Sequence, residues 1–169
     1  MNKTNHLTNH LLPRLPRILS LPLRYIPAKI PSHLLVMTLN QMLAKASRAG
    51  ELDFLQDKVL LIKVQDAHLI FGLSLVKSRL IAGPVHRHYD VCISGTAYDF
   101  LLLATGREDP DSLFFNRRLR LEGDTELGLY VKNFLAAVEL EPGAQMIVKQ
   151  LEHLLDWFEY SWQLRLKFR

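Results

Sequence analysis

A single cysteine, Cys92, stands among 169 residues. That excludes an internal disulfide framework and any Cys-rich zinc or iron–sulfur centre, and it fits a reducing compartment. Long apolar runs are lacking as well. A spanning helix needs about 20 consecutive apolar residues, and the best uncharged stretch, Leu34 to Ala44, is short and contains Asn40 and Gln41. No clean secretory core exists either, because Arg14, Arg17 and Arg24 interrupt the run from Leu11 to Ile26. A transit peptide would share the Arg-rich, acid-poor composition, but it forms an amphipathic helix, which Pro13, Pro16, Pro22 and Pro27 would break.

Catalytic motifs are absent too: no Gly-rich phosphate loop, no G-x-S-x-G elbow, no Cys-x-x-Cys pair and no H-E-x-x-H helix. His86 and His88 would share one side of a strand, yet a metal site needs a third or fourth ligand. Cys92 with a histidine would make a nucleophile–base pair, but a cysteine inside a strand serves more often as a small hydrophobe. Asp109 and Asp111 flank Pro110, where capping and turn formation explain both carboxylates. An enzyme using Cys92 or the His86/His88 pair is therefore the minor reading.

What is present is an ordinary globular composition, 49% hydrophobic and 22% charged, with an uneven charge distribution. Residues 1–50 hold seven basic side chains and no acid, and 51–169 hold fourteen basic against seventeen acidic. Five of the eight prolines lie between Pro13 and Pro31, alternating with Leu, Ile and Tyr. We read residues 1–31 as a basic, proline-rich arm. Arg14, Arg17, Arg24 and Lys29 suit an anionic membrane surface, where each cation contributes about 1 kcal/mol; alternatively the leucines pack on the arm's own domain. Nucleic acid is disfavoured, because Tyr25 is the arm's only aromatic for stacking.

Periodicity predicts a helix over 33–49 and a helical or turn segment over 51–58. Strands are expected at Val59–Gln65, His68–Val76 with a continuation around Arg79–Ala82, and His88–Ser94, with gaps so short that they imply hairpins or a meander. The third alternates Tyr89, Val91 and Ile93 against His88, Asp90 and Cys92, as a half-buried antiparallel strand does. Thr96 caps a helix over Ala97–Thr105 with Asp99 at its third position, and Gly106 ends it. A helix at Ser112–Asn116, a strand at Arg118–Glu122 and a Gly123 turn follow. Asp124 then caps a helix carrying Leu127, Tyr130, Val131, Phe134 and Val138. An amphipathic aromatic helix over 144–168 closes the chain.

The segment Asp109–Leu135, DPDSLFFNRRLRLEGDTELGLYVKNFL, resembles the sterol-carrier-protein-2 (SCP2) domain family. The matching features are Asp109-Pro110, Phe114 and Phe115, the basic-flanked strand Arg117–Leu121, the Gly123-Asp124 turn and the apolar helix after it. Strands preceding a Gly95-Thr96 helix follow the same family order. The resemblance implies an α+β fold, an antiparallel sheet covered by helices around an apolar lipid tunnel, occupying residues 32–140 with 141–169 as a C-terminal helix. It implies lipid binding without catalysis or cofactor. Phe71, Val91, Ile93, Phe100, Leu103, Phe114, Phe115, Leu127, Tyr130, Val131 and Phe134 would line the tunnel, or else form a closed core.

The leader, the length and the aromatic C-terminus are most similar to a small bacterial branch of the family. That branch serves oxygen-independent ubiquinone biosynthesis as an accessory factor. The resemblance thus implies a cytoplasmic protein, peripheral to the inner membrane, that holds polyprenyl quinone precursors for hydroxylating and methylating partner enzymes. A general lipid carrier without a quinone role, and a scaffold with a filled core, are the alternatives.

Overall fold

The structure, a computed structural model, describes residues 29–85, 88–139 and 142–167. It opens with helix α1 (Lys29–Met42) and a short helix α2 (Ala44–Arg48). The helix expected over 33–49 is thus two pieces that meet at Leu43, and the buried Met42 and Leu43 anchor the junction. A 3-10 turn at Asp53–Leu55 leads into the sheet. Its strands are β1 (Leu60–Val64), β2 (Leu69–Val76), β3 (Arg79–Ala82) and β4 (Val91–Gly95). Helices α3 (Ala97–Thr105) and α4 (Pro110–Phe115) precede strand β5 (Arg120–Gly123). Helix α5 (Thr125–Ala137), a 3-10 turn (Pro142–Ala144) and helix α6 (Gln145–Lys167) complete the order.

The run from His68 to Ala82 divides into β2 and β3 because Lys77 and Ser78 both have positive φ, 49° and 57°. Two such residues give the tight turn whose twist matches a hairpin. Neither is Asn, Asp or Gly, so composition carries no trace of it.

The strand order is β3-β2-β1-β4-β5. Three neighbouring pairs are antiparallel as expected, and the central pair β1–β4 is parallel. Parallel neighbours need a crossover, and here it begins after β3 at Gly83 and Pro84. They cross the face away from the helices: a Cβ on Gly72 would stand 2.5 Å from Gly83 O and 2.9 Å from Pro84 O. Only glycine at 72 lets the chain pass that closely.

Alternation along the register places Leu60, Ile62, Phe71, Leu73, Leu75, Leu80, Val91, Ile93 and Leu121 on one face. The helices pack over that face, contributing Val36, Met42, Leu113, Leu127 and Val131 to one buried cluster. Val64, Ala67 and Phe71 form a smaller cluster with Ala97 and Phe100 at the sheet's end. Strand β4 is buried along its whole length, which corrects the half-buried reading. It is an interior strand, flanked by β1 and β5, and its residues are buried on both faces.

Candidate lipid-binding site

Local chemistry sets the helices that roof the sheet. Thr96 and Asp99 close a capping box at α3, the Thr96 hydroxyl accepting from Asp99 N–H and the Asp99 carboxylate accepting from Thr96 N–H. Asp109 accepts from Ser112 N–H at 2.8 Å and Pro110 starts α4, while Asp124 accepts from Leu127 N–H at 2.9 Å to start α5. Each cap satisfies a backbone donor that a helix start leaves without a partner. Hydrogen bonding to Ser112 holds the Asp109 carboxyl below its ordinary value.

Between roof and sheet lies an apolar layer. Of the residues expected to line it, Phe71, Val91, Ile93, Leu127 and Val131 are buried, and Phe100, Leu103, Phe114 and Phe134 are partly buried against them. Phe115 and Tyr130 stand on the surface instead, 88% and 52% exposed. On a helix the residue after Phe114 points about 100° away, so Phe115 turns outward as Phe114 turns in. Tyr130 stacks with Phe54 at 6.2 Å between ring centroids, and Phe54 meets Phe134 at 5.7 Å. This aromatic cluster edges the layer where α5 meets the 3-10 turn.

Polar groups are almost excluded from this interior. Among the described residues the buried polar side chains are Ser94 and Asp99, and Asp99 is committed to Thr96 and to Arg118. The Arg118 Nε donates to Asp99 Oδ1 at 2.8 Å, and its Nη1 donates to Glu108 Oε2 at 2.7 Å. Its Nη2 lies 2.7 Å from the same Asp99 oxygen but off the hydrogen-bonding direction, so that contact is coulombic. The guanidinium also sits 5.6 Å from the centre of the Tyr98 ring. Sequence reasoning assigned Asp99 only to its cap and missed Arg118. The signal was thin: one arginine of an Arg117-Arg118 pair.

Tyr98 ties α6 to this network by donating to Glu159 at 3.0 Å, and Arg107 pairs with Asp156 at 2.6 Å nearby. Burial, then the hydrogen bond to the Glu159 carboxylate, pushes the Tyr98 phenol up to about 12 from 10.0. The neutral phenol is thus favoured by folding, so its contribution is complete below pH 10.0 and is lost as pH rises toward 12. Melting curves across that window are expected to fall more steeply for the native chain than for Tyr98→Phe. Equal slopes would show that the phenol does not hold α6.

Of the catalytic candidates, the described residues include Cys92 and His88. Cys92 is 5% exposed, and burial, reinforced by the Glu122 charge, pushes its thiol up, away from the thiolate a nucleophile needs. His88 is exposed, and His86 lies outside the described residues. No three His, Cys, Asp or Glu side chains gather into a metal-holding group among the described residues, and no helix among them is long and apolar enough to cross a membrane. Of the expected membrane contacts, Arg14, Arg17 and Arg24 lie outside the described residues, and Lys29 begins α1.

An open groove of about 550 Å³ runs beside β5 with Phe114, Leu119 and Leu121 as its apolar floor. Arg117, Arg120, Glu122 and Lys132 form its rim, and Lys132 is held by Asp111 at 2.8 Å.

A sheet roofed on one face by helices, with an almost wholly apolar layer between, defines an α+β domain of the sterol-carrier class. The chain belongs to the SCP-2 sterol transfer family, whose profile matches residues 39–136. It is 40% identical over 144 residues to the ubiquinone biosynthesis accessory factor UbiT of Escherichia coli K12, covering 85% of this chain and 82% of that one. The same figures hold for UbiT of Escherichia coli O157:H7. Among solved structures, the UbiJ-SCP2 ubiquinone synthesis protein superposes with a TM-score of 0.51 at 16% identity, covering 63% of this chain and 93% of that one. The structural likeness speaks for the fold.

Proposed function

We propose that this protein is a non-catalytic lipid-binding accessory factor in oxygen-independent ubiquinone biosynthesis. It holds the polyprenyl tail of quinone precursors in the layer between helices and sheet and offers the ring to hydroxylating and methylating enzymes. The single observation that carries the reading is the 40% identity to UbiT along most of both chains. The physical support is the apolar layer whose outer members, Phe54, Phe100, Phe114 and Phe134, are only partly buried. Each CH₂ taken from water contributes about 0.8 kcal/mol, so a few isoprenoid units retained among these rings give firm binding without any charged contact. Phe71, Val91, Ile93, Leu103, Leu127 and Val131 are proposed to contact the tail from the sheet and roof, whereas Phe115 and Tyr130 serve outside it.

The basic arm, residues 1–31, is proposed to hold the protein at the cytoplasmic face of the inner membrane through Arg14, Arg17, Arg24 and Lys29. The deciding experiment is native mass spectrometry, with organic extraction, of protein purified from cells grown without oxygen. Polyprenyl-phenols or ubiquinone in the extract are the expected result. Phospholipid alone would make it a general lipid carrier, and a ligand-free mass would overturn lipid binding itself.

A further inference from the structure

Strand β5 ends the sheet, and alternation decides which of its backbone groups are spare. Val91 N–H donates to Val59 O and Gln65 N–H donates to Gly95 O. Val91, Ile93 and Gly95 therefore turn their backbone groups toward β1, and Cys92 and Ser94 turn theirs toward β5. Opposite Cys92 and Ser94 stand Glu122 and Arg120. The N–H and C=O of Leu121 accordingly point away from the sheet, where an edge offers a template for another strand.

Charge along this edge changes sign at Leu121. Arg117 and Arg120 precede it, and Glu122, Asp124 and Glu126 follow it. Arg117, Arg120 and Glu122 are exposed, and none of the three has an ion pair among the described residues. An antiparallel copy of the same edge, centred on Leu121, sets Arg120 of each copy against Glu122 of the other. These would be the non-hydrogen-bonded positions, where side chains approach most closely. An acidic strand from a different protein would satisfy Arg117 and Arg120 but would oppose Glu122. Pairing with itself compensates both signs.

We propose that β5 is a self-association edge: it pairs antiparallel with β5 of a second copy of this chain about a two-fold axis at Leu121, joining the two sheets into one. Leu121 exchanges both of its outward hydrogen bonds across the axis, and two Arg120–Glu122 pairs flank it, as isologous symmetry requires. The groove floored by Phe114, Leu119 and Leu121 borders this edge. Next in sequence to Phe114, the exposed Phe115 adds a large apolar side chain that a lone chain leaves in water.

Sedimentation velocity of the full chain over a range of loading concentrations tests the proposal. A reversible dimer is expected. Arg120→Glu or Glu122→Arg alone is expected to weaken it roughly tenfold or more, because symmetry turns each single reversal into two like-charge contacts. The double variant R120E/E122R restores both pairs and the association. Leu121→Pro removes the outward N–H at an edge position that tolerates proline and is expected to leave a folded monomer by circular dichroism. A native chain that stays monomeric throughout, a dimer indifferent to both single reversals, or a double variant that fails to recover while folded would each overturn the assignment.

Discussion

Replacing Arg118 with methionine is expected to cost about 3–5 kcal/mol, the usual penalty for stranding one charge of a buried pair. Arg118 is 12% exposed and Asp99 3%, so removal of the guanidinium leaves a carboxylate that water cannot reach. At this chain length each kcal/mol shifts the melting temperature by about 2–4 °C, which makes a drop of roughly 6–20 °C. Two helices and β5 feel the loss together, because Asp99 also caps α3 and Glu108 precedes α4. The companion variant Arg118→Met with Asp99→Asn keeps a carbonyl oxygen for Thr96 N–H and removes the stranded charge. It is expected to recover much of the stability. Thermal melts of the two variants side by side decide the matter, and equal losses would mean that the charge is not what costs.

Gly123→Ala is the second large effect. Gly123 ends β5 with φ of +107°, and a Cβ there would stand 2.3 Å from Asp90 O and 3.1 Å from Val91 Cα. The approach is built into the sheet, since Asp124 N–H donates to the same Asp90 carbonyl at 2.8 Å. Backbone strain at such a φ costs about 1–3 kcal/mol, and a forced shift of β4 from β5 adds about 1–3 kcal/mol more. Gly106→Ala is the control. It has φ of +66° with nothing within 4 Å of a new Cβ, so only the conformational cost of about 1 kcal/mol applies. Urea midpoints of the two variants are expected to differ by well over a kcal/mol in free energy; a Gly123→Ala loss no larger than that of Gly106→Ala would refute the close approach.

The residues that sequence located best act on their immediate neighbours. Thr96 and Asp99, Asp109 with Pro110, and Asp124 mark helix starts because a cap reaches only two or three residues along the chain. Gly106, which adopts a left-handed conformation after α3, was legible for the same reason. The β2 face, Leu69, Phe71, Leu73 and Leu75, followed from a period of two, which any strand imposes. Lys77 and Ser78 show the limit: the turn they form is local, but side chains that ordinarily avoid positive φ gave no sign of it.

Sequence by itself determined the α+β class, the helix caps, the alternating faces of the strands and the resemblance to sterol-carrier domains. Those properties depend on short-range backbone chemistry, on side-chain period and on motif order. Only the tertiary structure decided that β1 and β4 run parallel, that β4 is covered on both sides, that Phe114 turns inward while Phe115 faces water, and that Arg118 pairs with the buried Asp99. Each of these depends on partners brought together by the fold: Leu60 opposite Val91, Gly72 beneath Gly83, Asp99 beside Arg118. Composition and period along one segment carry no information about which distant segment will lie against it.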